Sequence, residues 1–245
     1  MRNPFDAHEP IPSRNAPPPS DPALRIATFA RRPDLPLVIS ITGASSNTGK
    51  TQLMERAIRH FRKRQWPVTA LKVTRTHIGS CPRKNDACTT CDDLVHPFEL
   101  VENILQLDVN GKDTGRYLAA GADQVLWLLV QPTQVGRGVA RALDKVSPGH
   151  VLLVEGNSFR DWADAHQTFM AVGRRLRVKP SARMILDRVD AFVAEAATQA
   201  HLKPWLADLG LEARRILTAG DLEATFEDLL PHRSRPHPEK KPGPV

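Results

Sequence analysis

Cysteine is scarce in this chain, and long apolar runs are missing. Three cysteines in 245 residues, all between Cys81 and Cys91, cannot build a disulfide framework, so a reducing compartment is expected, with a local task for the thiols. The longest apolar stretch, Val125 to Val130, is far too short to span a bilayer, and MRNPFDAHEPIPSRNAPPPS at the N-terminus has no apolar core for a secretory signal. A cytoplasmic protein without a membrane partner follows as the expectation. Nor is there a strong charge of one sign in the body of the chain. Residues 1–34 hold five basic and four acidic side chains, and residues 231–245 hold four basic and one acidic, which leaves +3 of the formal +7 between them. That is a mildly basic globule and not a nucleic-acid footprint. No internal repeat and no long histidine-rich tract is present.

What the chain does have is 41% hydrophobic residues, enough for one sizeable core, with proline crowded at both ends. Residues 1–34 and 231–245 read as disordered proline-rich tails, the second one basic, because proline cannot supply backbone donors. Between them, LPLVISITG, VTALKVTRTH, ADQVLWLLVQ, HVLLVEGN, TFMAVG, DAFVAEA and RRILTAG read as buried strands. Helices are expected over 50–64, 134–146, 181–189, 199–209 and 221–230. Repeated βα units of this kind predict an α/β fold, a mostly parallel twisted sheet flanked by helices on both faces in three αβα layers. Residues 78–110 break the pattern and read as a cysteine-bearing insertion or active-site loop within a domain spanning 35–230.

The stretch ITGASSNTGKT carries the first chemistry. From Ala44 to Thr51 it fits a relaxed phosphate-loop motif, with Gly43 just before it. Gly43, Ala44, Asn47, Thr48 and Gly49 are the small or turn-forming positions that let backbone N–H groups close around phosphate oxygens at a helix N-terminus. Lys50 is placed for the β- and γ-phosphates and Thr51 for magnesium. A plain glycine-serine turn capping a helix is the alternative. A phosphate loop also needs an acid near the metal. VLLVEGNSF supplies Glu155 at a strand end, with Gly156 read as a point of close backbone approach to the nucleotide, although a strand-end glutamate can also be merely solvated. In DVNGKDTGRYLAAGA, Asp113 is placed to meet the γ-phosphate through magnesium or the attacking oxygen, and Lys112 or Arg116 to neutralise transition-state charge. A solvated turn with Asp113 as a helix cap is the other reading.

Taken in order, the phosphate loop, LKVTRTH, GKDTGRYLAAGA and LLVEG resemble molybdopterin-guanine dinucleotide biosynthesis protein B and its relatives, among the phosphate-loop proteins that include nitrogenase iron protein and the metallochaperone GTPases. The similarity covers roughly residues 37–160. It implies a magnesium-dependent nucleotide-binding homodimer with weak nucleoside triphosphatase activity that assists molybdenum-cofactor maturation. Molybdopterin or a molybdenum-cofactor enzyme would be its partner. Carried over by position, Gly49, Lys50 and Thr51 bind phosphate and magnesium, Asp113 sits by the γ-phosphate and Glu155 is the acid on the magnesium side. Since no Asn-Lys-x-Asp segment follows a late strand, ATP and GTP both remain open.

Two other readings rest on residues outside that series. THIGSCPRKNDACTTCDDLVH places His77, Cys81, Cys88 and Cys91 in one short span, and the Cys-x-x-Cys pair suits zinc or an iron–sulfur cluster. Unligated thiols are the plain alternative, and a nucleotide-controlled metallochaperone is the function that metal binding there would suggest. The run GRRLRVKPSAR offers Arg174, Arg175, Arg177 and Lys179 to an anionic acceptor, as in a small-molecule kinase, or is a solvated basic loop. Four scattered tryptophans read as packing residues, with Trp162 close enough after Glu155 to line a pocket.

Overall fold

The apolar run before the phosphate loop forms strand β1 (Leu37–Gly43), and every one of its residues is buried. A strand covered on both faces has no solvent side, which is why LVISI reads as a near-continuous apolar run. In this computed structural model, which describes residues 26–76, 94 and 96–230, seven further strands join it: β2 (Val68–Arg75), β3 (Phe98–Val101), β4 (Gln124–Val130), β5 (Val151–Glu155), β6 (Gln167–Ala171), β7 (Ala191–Val193) and β8 (Arg215–Leu217). Their order across the sheet is β3-β4-β2-β5-β1-β6-β7-β8. All neighbours are parallel except β3, which pairs antiparallel with β4 at the edge.

Helices cover both faces. They are α1 (Thr28–Arg31), α2 (Lys50–Lys63), α3 (Ile104–Leu107), α4 (Asp113–Ala119), α5 (Val135–Lys145), α6 (Asn157–Trp162), α7 (Pro180–Arg183), α8 (Ala196–Asp208) and α9 (Asp221–Leu229). Alternation along β1 separates the layers. Leu37, Ile39 and Ile41 pack with Met54, Ile58 and Phe61 of α2, Tyr117 of α4 and Phe226 of α9. Val38 packs with Val139 and Leu143 of α5 and Phe159 of α6, while Met170 and Phe192 meet Leu202, Trp205 and Leu206 of α8. The fold is the expected three-layer α/β sheet. With β1 flanked by β5 on one side and β6 on the other, chain direction across the sheet reverses at β1, and the loop after β1 opens into the crevice where ligands bind in such sheets.

Three expectations change. Residues 26–34, assigned to the N-terminal tail, are part of the fold. Ile26 forms a parallel bridge with Ala163 and donates its N–H to Trp162 at 2.7 Å, while Arg31 pairs with Asp144 and Arg32 donates to the Val146 carbonyl, both at 2.7 Å. The expected helix 181–189 is broken. Its apolar positions Ala182, Ile185, Leu186 and Val189 are all buried against the α8 side, but α7 ends at Arg183 and a 3-10 turn takes over at Leu186–Arg188. Within 78–110 the end of the segment is regular: β3 and α3 lie there, and β3 is the edge strand that covers β4. No helix among the described residues is long and apolar enough to cross a membrane.

Candidate functional site

The phosphate-loop sequence runs from the end of β1 into α2. Gly49 caps α2 in the left-handed region, at φ 87°, a conformation open to glycine without steric cost, and Asn47 is also left-handed at φ 57°. Gly43 is required for a different reason. A Cβ there would lie 2.7 Å from Lys50 Cδ and 2.8 Å from Thr48 Oγ1, so the Lys50 side chain is laid directly over it. Both polar groups of Gly43 are gripped by one side chain. Its N–H donates to Asn157 Oδ1 at 3.0 Å, and Asn157 Nδ2 donates to its carbonyl at 3.1 Å. Asn157 opens α6 just past the tip of β5, and it ties the start of the loop to the neighbouring strand.

The acids converge beside the loop. Thr51 donates its hydroxyl to Asp113 Oδ1 at 2.9 Å. The other oxygen of Asp113 accepts from the Lys72 ammonium, which also lies 3.5 Å from Glu155 Oε1. Glu155 Oε2 accepts from the Tyr117 hydroxyl. Parallel pairing explains the arrangement, since Glu155 of β5 is in register with Ile41 of β1 and Lys72 of β2. Asp113 arrives from the N-terminus of α4, where Gly115 lets the helix press on the preceding loop. A Cβ on Gly115 would stand 2.4 Å from the Val109 carbonyl oxygen. Thr114 fixes the same loop by donating to the Leu107 carbonyl at 2.7 Å. The run GKDTG is therefore a device for delivering one carboxylate.

Charge states follow from these contacts. Burial alone would raise the Asp113 carboxyl, but hydrogen bonds from Lys72 and Thr51, the Lys72 charge and that of Arg116 outweigh it and hold Asp113 below the ordinary carboxylate range. Burial pushes the Tyr117 phenol well up, and the Glu155 charge adds to the rise, so Tyr117 remains a donor. Burial also lowers the Lys50 ammonium; Glu155 and Asp113 oppose the fall and Lys72 adds to it.

Not every expected residue is at the centre. Lys112 is exposed just before α4. Arg116 turns to α2, where its Nε donates to Glu55 at 2.7 Å. Gly156 answers to a constraint within the sheet: at φ 143° its missing Cβ would lie 2.7 Å from the Val73 carbonyl oxygen, so it lets β5 leave the sheet against β2. Trp162 packs on Gly136 of α5, where a Cβ would stand 2.6 Å from its ring. The basic loop divides. Arg174 pairs with Glu195 at 2.9 Å in the open, Arg175 and Arg177 are exposed, and only Lys179 turns partly inward. His77, Cys81, Cys88 and Cys91 lie outside the described residues. Among the described ones, no group of three or more His, Cys, Asp or Glu side chains is placed to hold a metal.

Sequence reasoning passed over Lys72, Tyr117 and Asn157 as site residues. Lys72 had a signal, being a lone charge in the apolar strand VTALKVT, and Tyr117 is the only tyrosine in the chain. Asn157 had none beyond following Glu-Gly.

Comparison with known proteins gives likeness at the level of solved structures. No known family model matches the chain, and no curated protein does. Among solved structures, it is similar to the X-ray crystal structure of MobB protein homolog from Bacillus stearothermophilus, at 17% identity and a TM-score of 0.36, over 78% of this chain and 94% of that chain.

Proposed function

We propose that this protein binds a magnesium nucleoside triphosphate at Gly43–Thr51 and hydrolyses it slowly in support of molybdenum-cofactor maturation. The observation that carries the nucleotide reading is the linked row Thr51–Asp113–Lys72–Glu155–Tyr117, laid beside a left-handed glycine-capped loop at the point where the order of strands across the sheet reverses. Lys50, stretched over Gly43, is the group to bridge phosphate oxygens. The Thr51 hydroxyl and the Asp113 and Glu155 carboxylates are an all-oxygen donor set suited to magnesium, and their two carboxylates already share one cation, the Lys72 ammonium. Magnesium, when bound, would neutralise charge on the phosphate oxygens.

Slow turnover has a physical basis here. Asp113 is held ionised by Lys72 and Thr51, and a carboxylate with a depressed pKa is a weak general base. The molybdenum role rests on the resemblance of GKDTGRYLAAGA and LLVEG stated above. The homodimer that goes with it would cover Ile104, Leu105 and Val109, which are 53%, 83% and 41% exposed near the β3 edge.

The test follows γ-labelled ATP and GTP with metal-replete protein, with and without a metabolite extract. Slow release of free phosphate in both conditions, lost in Lys50→Ala, is the expected result. Absence of affinity for any magnesium nucleotide after removal of bound ligand would refute the reading. Label transferred to a metabolite would replace it with a kinase.

A further inference from the structure

Three cations near the phosphate loop are in no salt bridge among the described residues. Lys72 is held by Asp113 and Glu155, but Lys50, Arg75 and Lys179 make no ion pair and donate no side-chain hydrogen bond among the described residues. We propose that Lys179 and Arg75 join Lys50 in contacting the terminal phosphate of the bound nucleoside triphosphate. The inference deepens the function proposed above and rests on it.

Backbone geometry brings Lys179 to the loop. Its N–H donates to the carbonyl of Ala44 at 2.8 Å, so residue 179 is anchored on the phosphate loop itself. The near end of the same segment touches the loop as well, since a Cβ at Gly173 would be in van der Waals contact with Thr48 Cγ2 at 3.4 Å. The segment from Gly173 to Lys179 thus lies along the loop from Thr48 to Ala44. Arg75 is the last residue of β2, three positions beyond the Lys72 that neighbours Glu155, and it ends on the same rim.

The electrostatics agree with that placement. The charges acting on Lys179 are Lys50, Arg75 and Glu155, and burial with the two cations lowers it to about 8. All three cations are partly buried. Removing an ammonium or guanidinium from water is unfavourable unless a counter-charge replaces the water, and placing three of them together adds repulsion. Asp113 and Glu155 are the acidic neighbours of Lys50 and Lys72, Glu155 is that of Lys179, and Arg75 acts on Lys179, so four cations meet two acids, a surplus of two positive charges. A phosphate terminus supplies the missing anion, because its charge is spread over three oxygens that several donors can reach at once. Cations on a transferring phosphoryl group are also where charge stabilisation counts in the reaction.

Calorimetric titration of the full chain with the magnesium complexes of ATP, ADP, GTP and GDP tests the assignment, using wild type, Lys179→Met, Lys179→Arg and Arg75→Met. Lys179→Met and Arg75→Met should each weaken triphosphate binding roughly tenfold or more, as for a lost charge-assisted hydrogen bond. Diphosphate affinity should change by less than about threefold, and Lys179→Arg should keep most of the triphosphate affinity. Unfolding of Lys179→Met in urea should show no loss of stability, because the methionine removes an uncompensated cation. Equal losses for di- and triphosphate would overturn the terminal-phosphate assignment, as would wild-type affinity in Lys179→Met. Loss confined to inorganic phosphate added to diphosphate-loaded protein would give the cations to an acceptor's anionic group, which also overturns it. Wild-type protein with no affinity for any triphosphate would instead defeat the function proposed above, and this inference with it.

Discussion

Replacing Asn157 with alanine takes two hydrogen bonds from the first residue of the phosphate loop. The Gly43 N–H has one hydrogen, donated to Asn157 Oδ1 at 3.0 Å, and Gly43 and Asn157 are both buried. Alanine leaves that donor without its acceptor, at about 1–3 kcal/mol for a buried unsatisfied group, and removes the 3.1 Å bond to the Gly43 carbonyl, worth about 0.5–1.5 kcal/mol. The two together come to about 1.5–4.5 kcal/mol. Domains of this kind have about 5–15 kcal/mol in all, so Asn157→Ala should fold but melt earlier. Urea unfolding followed by tryptophan fluorescence should show a lower midpoint with an unchanged slope. Nucleotide affinity should fall as well, since Gly43 lies beneath Lys50. Asn157→Asp separates the two effects. It keeps an acceptor for the N–H, so it should lose less stability, yet it brings a negative charge to the loop and should lose more affinity. An Asn157→Ala protein within about 0.5 kcal/mol of wild type, with unchanged nucleotide binding, would refute the reasoning, because Gly43 would then be held by the strand ladder alone.

The sheet was legible because its central strands are buried on both faces and therefore announce themselves as apolar runs. VLLVE and LVISI locate β5 and β1 to within a residue or two. The exposed edge was not legible, since Phe98–Val101 alternates partly buried, exposed and buried positions within a polar segment and has only one partner. Of the site, the residues on a local motif were readable: the Gly-Lys-Thr turn and the carboxylates Asp113 and Glu155. Asn157, Lys72 and Tyr117 work through contacts between strands or helices far apart in sequence, 114 residues in the case of Asn157 and Gly43, and no spacing rule reaches that distance. Gly156 shows how a residue can carry a constraint that its sequence neighbours do not reveal. Proximity to Glu155 suggested a ligand, and the Val73 carbonyl adds a demand from within the sheet.

Two glycines should separate folding from binding. Gly156→Ala meets backbone at 2.7 Å with φ at 143°, so it should cost more than about 2 kcal/mol in urea unfolding, whereas Gly43→Ala meets mainly the flexible Lys50 chain and should weaken nucleotide binding roughly tenfold with little change in stability. Lys72→Met leaves Asp113 and Glu155 facing each other without their shared cation, which should destabilise the protein by about 2–4 kcal/mol at neutral pH. Magnesium should then raise the melting temperature of the variant more than that of wild type, and identical responses would sink the idea that metal and ammonium compete for the same carboxylates. The last prediction concerns pH. Lys179 faces Lys50, Arg75 and Glu155 and is lowered to about 8 from 10.5, so below about pH 8 it is charged in both the folded and unfolded chain, and its burial weakens the fold there. As pH rises from about 8 towards 10.5 the folded state gives up that proton first, and wild type should gain stability that Lys179→Met does not. A bound phosphate favours the charged form, so affinity for a triphosphate should be level below about pH 8 and fall above it, by up to one decade per pH unit. Lys50, also lowered, contributes to the fall in both proteins, and the part that begins near pH 8 should be absent from Lys179→Met. A variant that keeps the full wild-type profile would show that the proton taken up on binding belongs to Lys50 alone.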